Sequence, residues 1–373
     1  MGIKCNKLKL ILAGFIALAV VFFLPLSSPT QSIGAFSDTL YRDGTSYTGG
    51  NIACGYTNKN ISELKLIPGG YPFGVKFYTK GVVVVGLSDV ETEKGFISPA
   101  DTAGFKKGDI ITAADGTQIN TVEETAAIIE QCAGQEISFT VKRGGEVLDL
   151  TLTPVKAQSD GKYKSGMWIR DSTAGIGTVT YIDPETLSFG GLGHGICDSD
   201  TGTIMPLARG TVVNVDISEI IRGVGGRPGE LKGDFGTDRT GILHTNSSAG
   251  VFGVFDSMPP KTAYEAISVA PADSVYEGKA QIYSSIRKGE NNIYEIEITK
   301  IDTDSADSKN FVIKVTDPAL IELTGGIIQG MSGSPIIQDG KLVGAVTHVL
   351  VNDPTRGYGI FIETMLAEAE KIK

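Results

Sequence analysis

The sequence predicts a mainly β protein: an N-terminal membrane anchor followed by two strand-rich domains. Three observations predict it. Glycine is 48 of 373 residues, about 13% and nearly twice its usual share, and 15 prolines accompany it. Short Val/Ile/Thr runs are frequent and long amphipathic stretches are few. One uncharged apolar run stands at the beginning, behind three lysines. Apolar residues at 41% and charged residues at 20% exclude a disordered chain and a multi-span membrane protein. A net charge of -10 argues against nucleic-acid binding through a broad basic face.

Taken in order, Lys4, Lys7 and Lys9 precede the apolar run Leu10 to Leu26, and no further charge occurs until Asp38. A basic segment before an apolar one is an export signal. At about 17 residues the run lies between a signal-peptide core and a full membrane span. Pro25 and Pro29 break it without a clear cleavage site, so an uncleaved signal-anchor is preferred to a removed signal peptide. Residues 1–9 then stay in the cytosol, 10–26 cross the membrane and the rest lies outside. Residues 27–67 read as a linker with one short strand near Leu64–Ile67.

A first domain spans 68–156. Strand-like runs cover 74–78, 81–86, 109–114, 136–143 and 147–153. One helix interrupts them: Thr121 and Glu124 form a capping box, Val122, Ala126, Ile129 and Ala133 share a face, and Gly134 ends it. A polar linker, 156–164, leads to a second strand-rich domain, 165–373. There Asp183-Pro184 and Asp339-Gly340 mark hairpins, and only Glu363–Lys373 reads as a helix. The cysteines, Cys5, Cys54, Cys132 and Cys197, have no CxxC spacing and are expected as small core residues. No metal or cofactor is expected.

In the first domain, Ser98-Pro99-Ala100, Ala103-Gly104-Phe105, Lys107-Gly108-Asp109-Ile110-Ile111 and Asp115-Gly116 resemble the core motif of PDZ domains in bacterial exported proteases. PDZ domains bind a peptide as an added strand, its carboxylate held in a loop of backbone N–H groups. The resemblance implies that Tyr71-Pro72-Phe73-Gly74 is that loop and Val75–Tyr78 the docking strand, an ordinary turn being the alternative.

The sharpest chemical signal is Gly330-Met331-Ser332-Gly333-Ser334-Pro335. A serine hydroxyl is a weak nucleophile and needs a positioned base and an oxyanion hole. Glycines on both sides let the backbone turn its N–H groups toward one point. The segment resembles the nucleophile loop of chymotrypsin-like serine proteases, followed by a strand, the Asp339-Gly340 turn and another strand. That resemblance implies a double β-barrel peptidase domain, Ser332 as nucleophile, and the N–H groups of Gly330 and Ser332 as the oxyanion hole. Met331 departs from the aspartate of that family.

Only His194, His244 and His348 can supply a base. His194 lies in Phe189-Gly190-Gly191-Leu192-Gly193-His194 and precedes the serine, as in chymotrypsin-like enzymes. It is ranked first. His348 is read as pocket wall or structure, and His244 as a surface or core residue. For the acid, Asp317 stands 15 residues before Ser332, closer than in chymotrypsin-like enzymes; Asp216 and Asp234 are alternatives.

Anchor, PDZ-like domain and peptidase segment in this order resemble the stage IV sporulation protein B (SpoIVB) serine peptidase family. The most specific segments are Gly191–His194, Thr316-Asp317-Pro318, Gly325–Ile336 and Gly344–Val349 with Asn352-Asp353-Pro354. The resemblance implies catalysis by His194, Ser332 and Asp317. It also implies a self-processing, membrane-tethered endopeptidase in the forespore intermembrane space. Its substrates would be itself and a membrane-bound regulator of an intramembrane protease, whose cleavage leads to activation of a late mother-cell sigma factor. A non-catalytic PDZ scaffold with a degenerate protease domain is the alternative. A hydrolase built on Cys197 fails, since that residue has no glycine elbow.

Overall fold

Alternating burial sets the strands. In Ile137–Arg143, Ile137, Phe139 and Val141 are buried while Ser138 and Lys142 face out. Asn292–Ile301 repeats the pattern, with Tyr294, Ile296 and Ile298 buried around exposed Glu295 and Glu297. The computed structural model describes residues 61–371, apart from positions 261, 263, 288, 289, 291, 304, 306 and 307. They lie in one unit, Asn51–Lys373. The expected cytosolic segment, the anchor and nearly all of the 27–67 linker lie outside the described residues. No described helix is long and apolar enough to cross a membrane.

The principal strands run in chain order. β1 is Pro72–Leu87, β2 Ile110–Ala114, β3 Ile137–Arg143 and β4 Glu146–Leu152. β5 is Met167–Ile182, β6 Ser188–Gly191, β7 Leu207–Ile221, β8 Glu230–Ser247 and β9 Gly250–Phe255. β10 is Gly278–Ser284, β11 Asn292–Ile301, β12 Phe311–Val315, β13 Pro335–Gln338, β14 Lys341–Val349 and β15 Arg356–Phe361. The longer helices are α1 (Val122–Gln131), α2 (Pro318–Thr324) and α3 (Ile362–Ala369).

Two rings of strands result. The first runs β5-β6-β9-β8-β7-β1 and closes by the pairing of β1 with β5. Phe73, Phe77, Phe189, Val212 and Leu243 fill it. The second, β10-β11-β12-β15-β14-β13, is a closed barrel around Ile282, Ile296, Phe311, Ile313 and Met331. Between β13 and β14, Asp339 and Gly340 both have positive φ (50° and 73°), the backbone a two-residue hairpin turn needs. The helix expected at Glu363–Lys373 is α3, beginning one residue earlier.

The PDZ-like segment is a continuation of the first ring rather than a separate sheet. The runs expected at 74–78 and 81–86 are one strand, β1. Its first part pairs with β7, and beyond Gly81 Val82 and Val83 pair with β2. Gly81 sits at the change with φ +82, and an added Cβ would lie 2.4 Å from the Ile111 carbonyl oxygen. β5 pairs with β1 along both parts. The expected linker 156–164 is also folded: Val155–Lys156 pairs with Tyr163–Lys164, and the Tyr163 N–H donates to Glu130 on α1.

Beyond Gly81 a second core forms around Val82, Phe105, Ile111, Phe139 and Val141. The α1 capping box is present, Glu124 N–H donating to Thr121 Oγ1 at 3.1 Å and Thr121 N–H to the Glu124 carboxylate at 3.1 Å. Asp109 is fully buried and pairs with Arg143 Nε and a terminal nitrogen, each at 2.7 Å, while accepting the Lys106 N–H at 2.8 Å. A buried carboxylate stays charged only with such partners. The Gly108-Asp109 step is thereby locked.

Candidate active site

Two loops, one from each ring, meet across β5. The first follows β6, where Leu192 and Gly193 both take positive φ (66° and 67°) and turn the chain into His194. The second precedes β13, where Gly330 (φ 98°) and Gly333 (φ 95°) flank Met331 and Ser332. Met331 is fully buried in the second barrel's core, so the position where chymotrypsin-like enzymes carry an aspartate anchors the loop by packing.

Thr178 on β5 ties the loops together. Its N–H donates to the Ser332 carbonyl at 2.9 Å and its hydroxyl to the Gly330 carbonyl at 2.8 Å. Its own carbonyl accepts the Leu192 N–H at 3.2 Å. Two residues on, the Thr180 hydroxyl donates to the Gly333 carbonyl at 2.7 Å. A Cβ on Gly333 would lie 2.0 Å from the Thr178 oxygen and 2.5 Å from the Leu192 nitrogen, so only glycine permits this approach. Thr178 and Thr180 were not legible as site residues, because threonine is ordinary in strands.

Ser332 is half-buried, and its hydroxyl donates to the Thr347 carbonyl on β14 at 2.6 Å. Among the described residues, the N–H groups of Gly330 and Ser332 have no acceptor, whereas the Gly333 N–H is committed to the Val346 carbonyl at 2.7 Å. Two uncommitted amides beside the serine suit a developing oxyanion.

His194 is half-buried, and Nδ1 lies 2.9 Å from the Gly195 carbonyl oxygen. With the proton on Nδ1 donated to that carbonyl, Nε2 is left as the acceptor, the tautomer a general base requires. Burial lowers the imidazole's proton affinity below its ordinary value, and the Gly195 carbonyl partly opposes this. His194 lines a cleft with Ile176, Gly177, Cys197, Lys309 and His348. His244, on β8, is exposed.

Asp317 lies elsewhere. One carboxylate oxygen caps α2, accepting the N–H groups of Ala319 at 2.9 Å and Leu320 at 3.2 Å. The other accepts the Glu295 N–H at 3.3 Å. Both oxygens are engaged by backbone N–H groups at the partly exposed end of the second barrel, and among the described residues no hydrogen bond joins Asp317 to His194. The alternatives Asp216 and Asp234 face each other as a cross-strand pair on the β7–β8 ribbon, both exposed.

The peptide loop expected at Tyr71-Pro72-Phe73-Gly74 is a correction. Pro72 begins β1. Phe73 and Gly74 pair with Gly177 and Ile176 on one side and with Asn214 and Val213 on the other. Both backbone edges are used, and Tyr71 and Phe73 are buried, so no carboxylate can dock there. The expected docking strand, Val75–Tyr78, is likewise paired on both sides. A groove lies instead between α1 and the start of β5, lined by Val122, Ala126, Ile129, Met167, Trp168 and Ile169. The cysteines also differ from expectation: Cys132 is half-buried and Cys197 exposed, while Cys5 and Cys54 lie outside the described residues. Among the described residues no cluster of His, Cys, Asp or Glu is arranged to hold a metal ion.

Comparison with known proteins gives a family match. The family model described as SpoIVB peptidase S55 matches residues 161–366, and a PDZ-domain model matches residues 74–153. Zinc metalloprotease RasP of Oceanobacillus iheyensis is 32% identical over 80 residues, 21% of this chain and 19% of the relative. Metalloprotease MmpA of Caulobacter vibrioides is 36% identical over 92 residues, 23% of each chain. The chain thus spans about a fifth of the length of these curated relatives. Among solved structures, the active form of the Rv3671c protease from M. tuberculosis has a TM-score of 0.32 at 14% identity, covering 54% of this chain and 74% of that one. The HtrA-type protease AlgW with a decapeptide has a TM-score of 0.31 at 11% identity, covering 58% of this chain and 55% of that one.

Proposed function

The chain belongs to the SpoIVB peptidase S55 family, and from that premise we propose that this serine peptidase cleaves with Ser332 as nucleophile and His194 as base. The reading includes a chymotrypsin-like double barrel, with one catalytic residue from each ring. One observation carries it: Thr178 holds the Gly330–Gly333 loop against the His194 loop, with two amides beside Ser332 uncommitted. Attack begins when the Ser332 hydroxyl leaves the Thr347 carbonyl and turns toward His194 Nε2. The proton passes to Nε2 as the Ser332 Oγ–C bond forms, and the Gly330 and Ser332 N–H groups take the oxyanion. Collapse expels the amine, which receives that proton, and water then frees the acyl-enzyme. Asp317, third in the triad by family resemblance, acts in this reading by capping the helix that leads into the nucleophile loop.

Family resemblance extends the reading to a wider role: a self-processing endopeptidase, tethered through residues 10–26 on the exported face, that cleaves a membrane-bound regulator of an intramembrane protease during sporulation. Peptide partners would dock in the groove along β5 and α1, as an added strand. The test is Ser332→Ala in the full chain. Self-cleavage falls on the order of 10⁶-fold while the unfolding transition stays in place; fragments from the Ala variant at the wild-type rate disprove the nucleophile. A non-catalytic scaffold is favoured by one observation, the engagement of the Ser332 hydroxyl by Thr347. Fluorophosphonate labelling of Ser332 separates the two readings.

A further inference from the structure

His194 and His348 are in ring contact, with centroids 4.7 Å apart and planes tilted by 33°. At this distance the two tilted rings are in direct contact. His194 follows β6 in the first ring and His348 belongs to β14 in the second barrel, so the contact bridges the rings. His348 is exposed, His194 half-buried, and both line the same cleft. The Gly195 carbonyl holds His194 by Nδ1 alone, so the Nε2 side of the ring keeps more freedom than the Nδ1 side. A second ring against its face removes this freedom.

We propose that His348 is a positioning residue for His194: its neutral ring holds the plane of the base, and its π face stabilises the imidazolium formed when Ser332 gives up its proton. This rests on the reading of Ser332 and His194 as nucleophile and base. The Ser332 O–H bond breaks as Oγ bonds to the substrate carbonyl carbon. The proton moves to His194 Nε2 and then to the leaving nitrogen as the C–N bond breaks. His348 neither gives nor takes a proton in these steps. Protonated, it opposes the imidazolium instead, since like charges in contact disfavour each other.

Other charges face the same cleft. Lys309, before β12, and Glu230, at the start of β8, line it with the two rings. Cys197 also lines the cleft, and next to it Asp198 is held in an ion pair with Arg170. A proton on His348 would make uptake by half-buried His194, already lowered by burial, harder still.

The experiment compares full-length wild type with His348→Phe, which keeps a ring face without a titrating group, and with His348→Ala, which removes both. One readout is the rate of fluorophosphonate labelling from about pH 5 to about pH 9. The other is the NMR titration of the ring signals in the Ser332→Ala background, where three histidines keep assignment simple. His348→Phe should keep the plateau rate within about threefold, and its acid limb should fall with one proton where wild type falls with two. His348→Ala should lose about tenfold at the plateau. His194 should titrate at higher pH once His348 is replaced by Phe. The proposal is overturned if His348→Ala labels like wild type at every pH, or if the His194 titration is the same with and without His348. Absence of label on wild-type protein would instead sink the nucleophile reading, while the titration still decides whether the rings are coupled.

Discussion

The two rings of strands differ in how far their strands belong to them alone. Every strand of the second barrel pairs within that barrel, and the barrel carries its own core. In the first ring, β1 and β5 run on past Gly81 and Arg170 into the PDZ sheet, each 16 residues long. Ser332 thus stands on a barrel whose strands all pair within it, while the strand that positions it, β5, also forms one wall of the groove beside α1. Placement of the nucleophile is a matter of contact between the rings as much as of its own loop.

The strongest way to break this contact is Gly333→Ala. Its Cβ would meet the backbone of Thr178 and Leu192, forcing the two loops apart. Labelling of Ser332 should fall about 10³-fold, because a shift of an ångström costs that order of rate at an oxyanion site. A rate within threefold of wild type would mean that the loops need not touch. Second in size is Asp109→Ala, which leaves Arg143 without its buried partner. It should destabilise the protein by about 3 kcal/mol, read by denaturant unfolding. Since β1 and β5 belong to both sheets, one transition should shift; two separate transitions would show that the sheets unfold independently.

The smallest expected effect is the sharpest test of the second barrel's part. Serine caps a helix about as well as aspartate. If Asp317 serves the site only by capping α2 and accepting the Glu295 N–H, Asp317→Ser should cost no more than about 1 kcal/mol and leave the rate of self-cleavage near wild type. Loss of cleavage with unchanged folding would return Asp317 to the triad, in a rearranged state where it reaches His194.

The parts of the site legible in the sequence were those whose chemistry is local. Gly330-Met331-Ser332-Gly333 must turn sharply whatever surrounds it, and glycines around His194 do the same in a chain with three histidines. The Thr121–Glu124 box is equally local. What escaped depends on partners far along the chain. Tyr71–Gly74 has the composition of a loop, and only pairing with residues more than 100 positions away makes it a buried strand. Thr178 carries no mark beyond that of a strand threonine. Asp317 is a middle case: an aspartate before a proline is itself a helix-start signal, but the family resemblance drew attention to its charge instead of its place at the end of β12.

The sharing of β5 also fixes where the chain can be divided. Residues 74–153, the span that matches a PDZ domain, stop short of Met167–Arg170, which pairs with Val83–Leu87 of β1. A fragment cut at 153 would leave that row of β1 backbone groups bare beside Val83 and Val84, a template for pairing with another copy. The smallest piece that keeps its sheet edge covered has to reach Arg170, so an excised peptide-binding module carries the first residues of the peptidase with it.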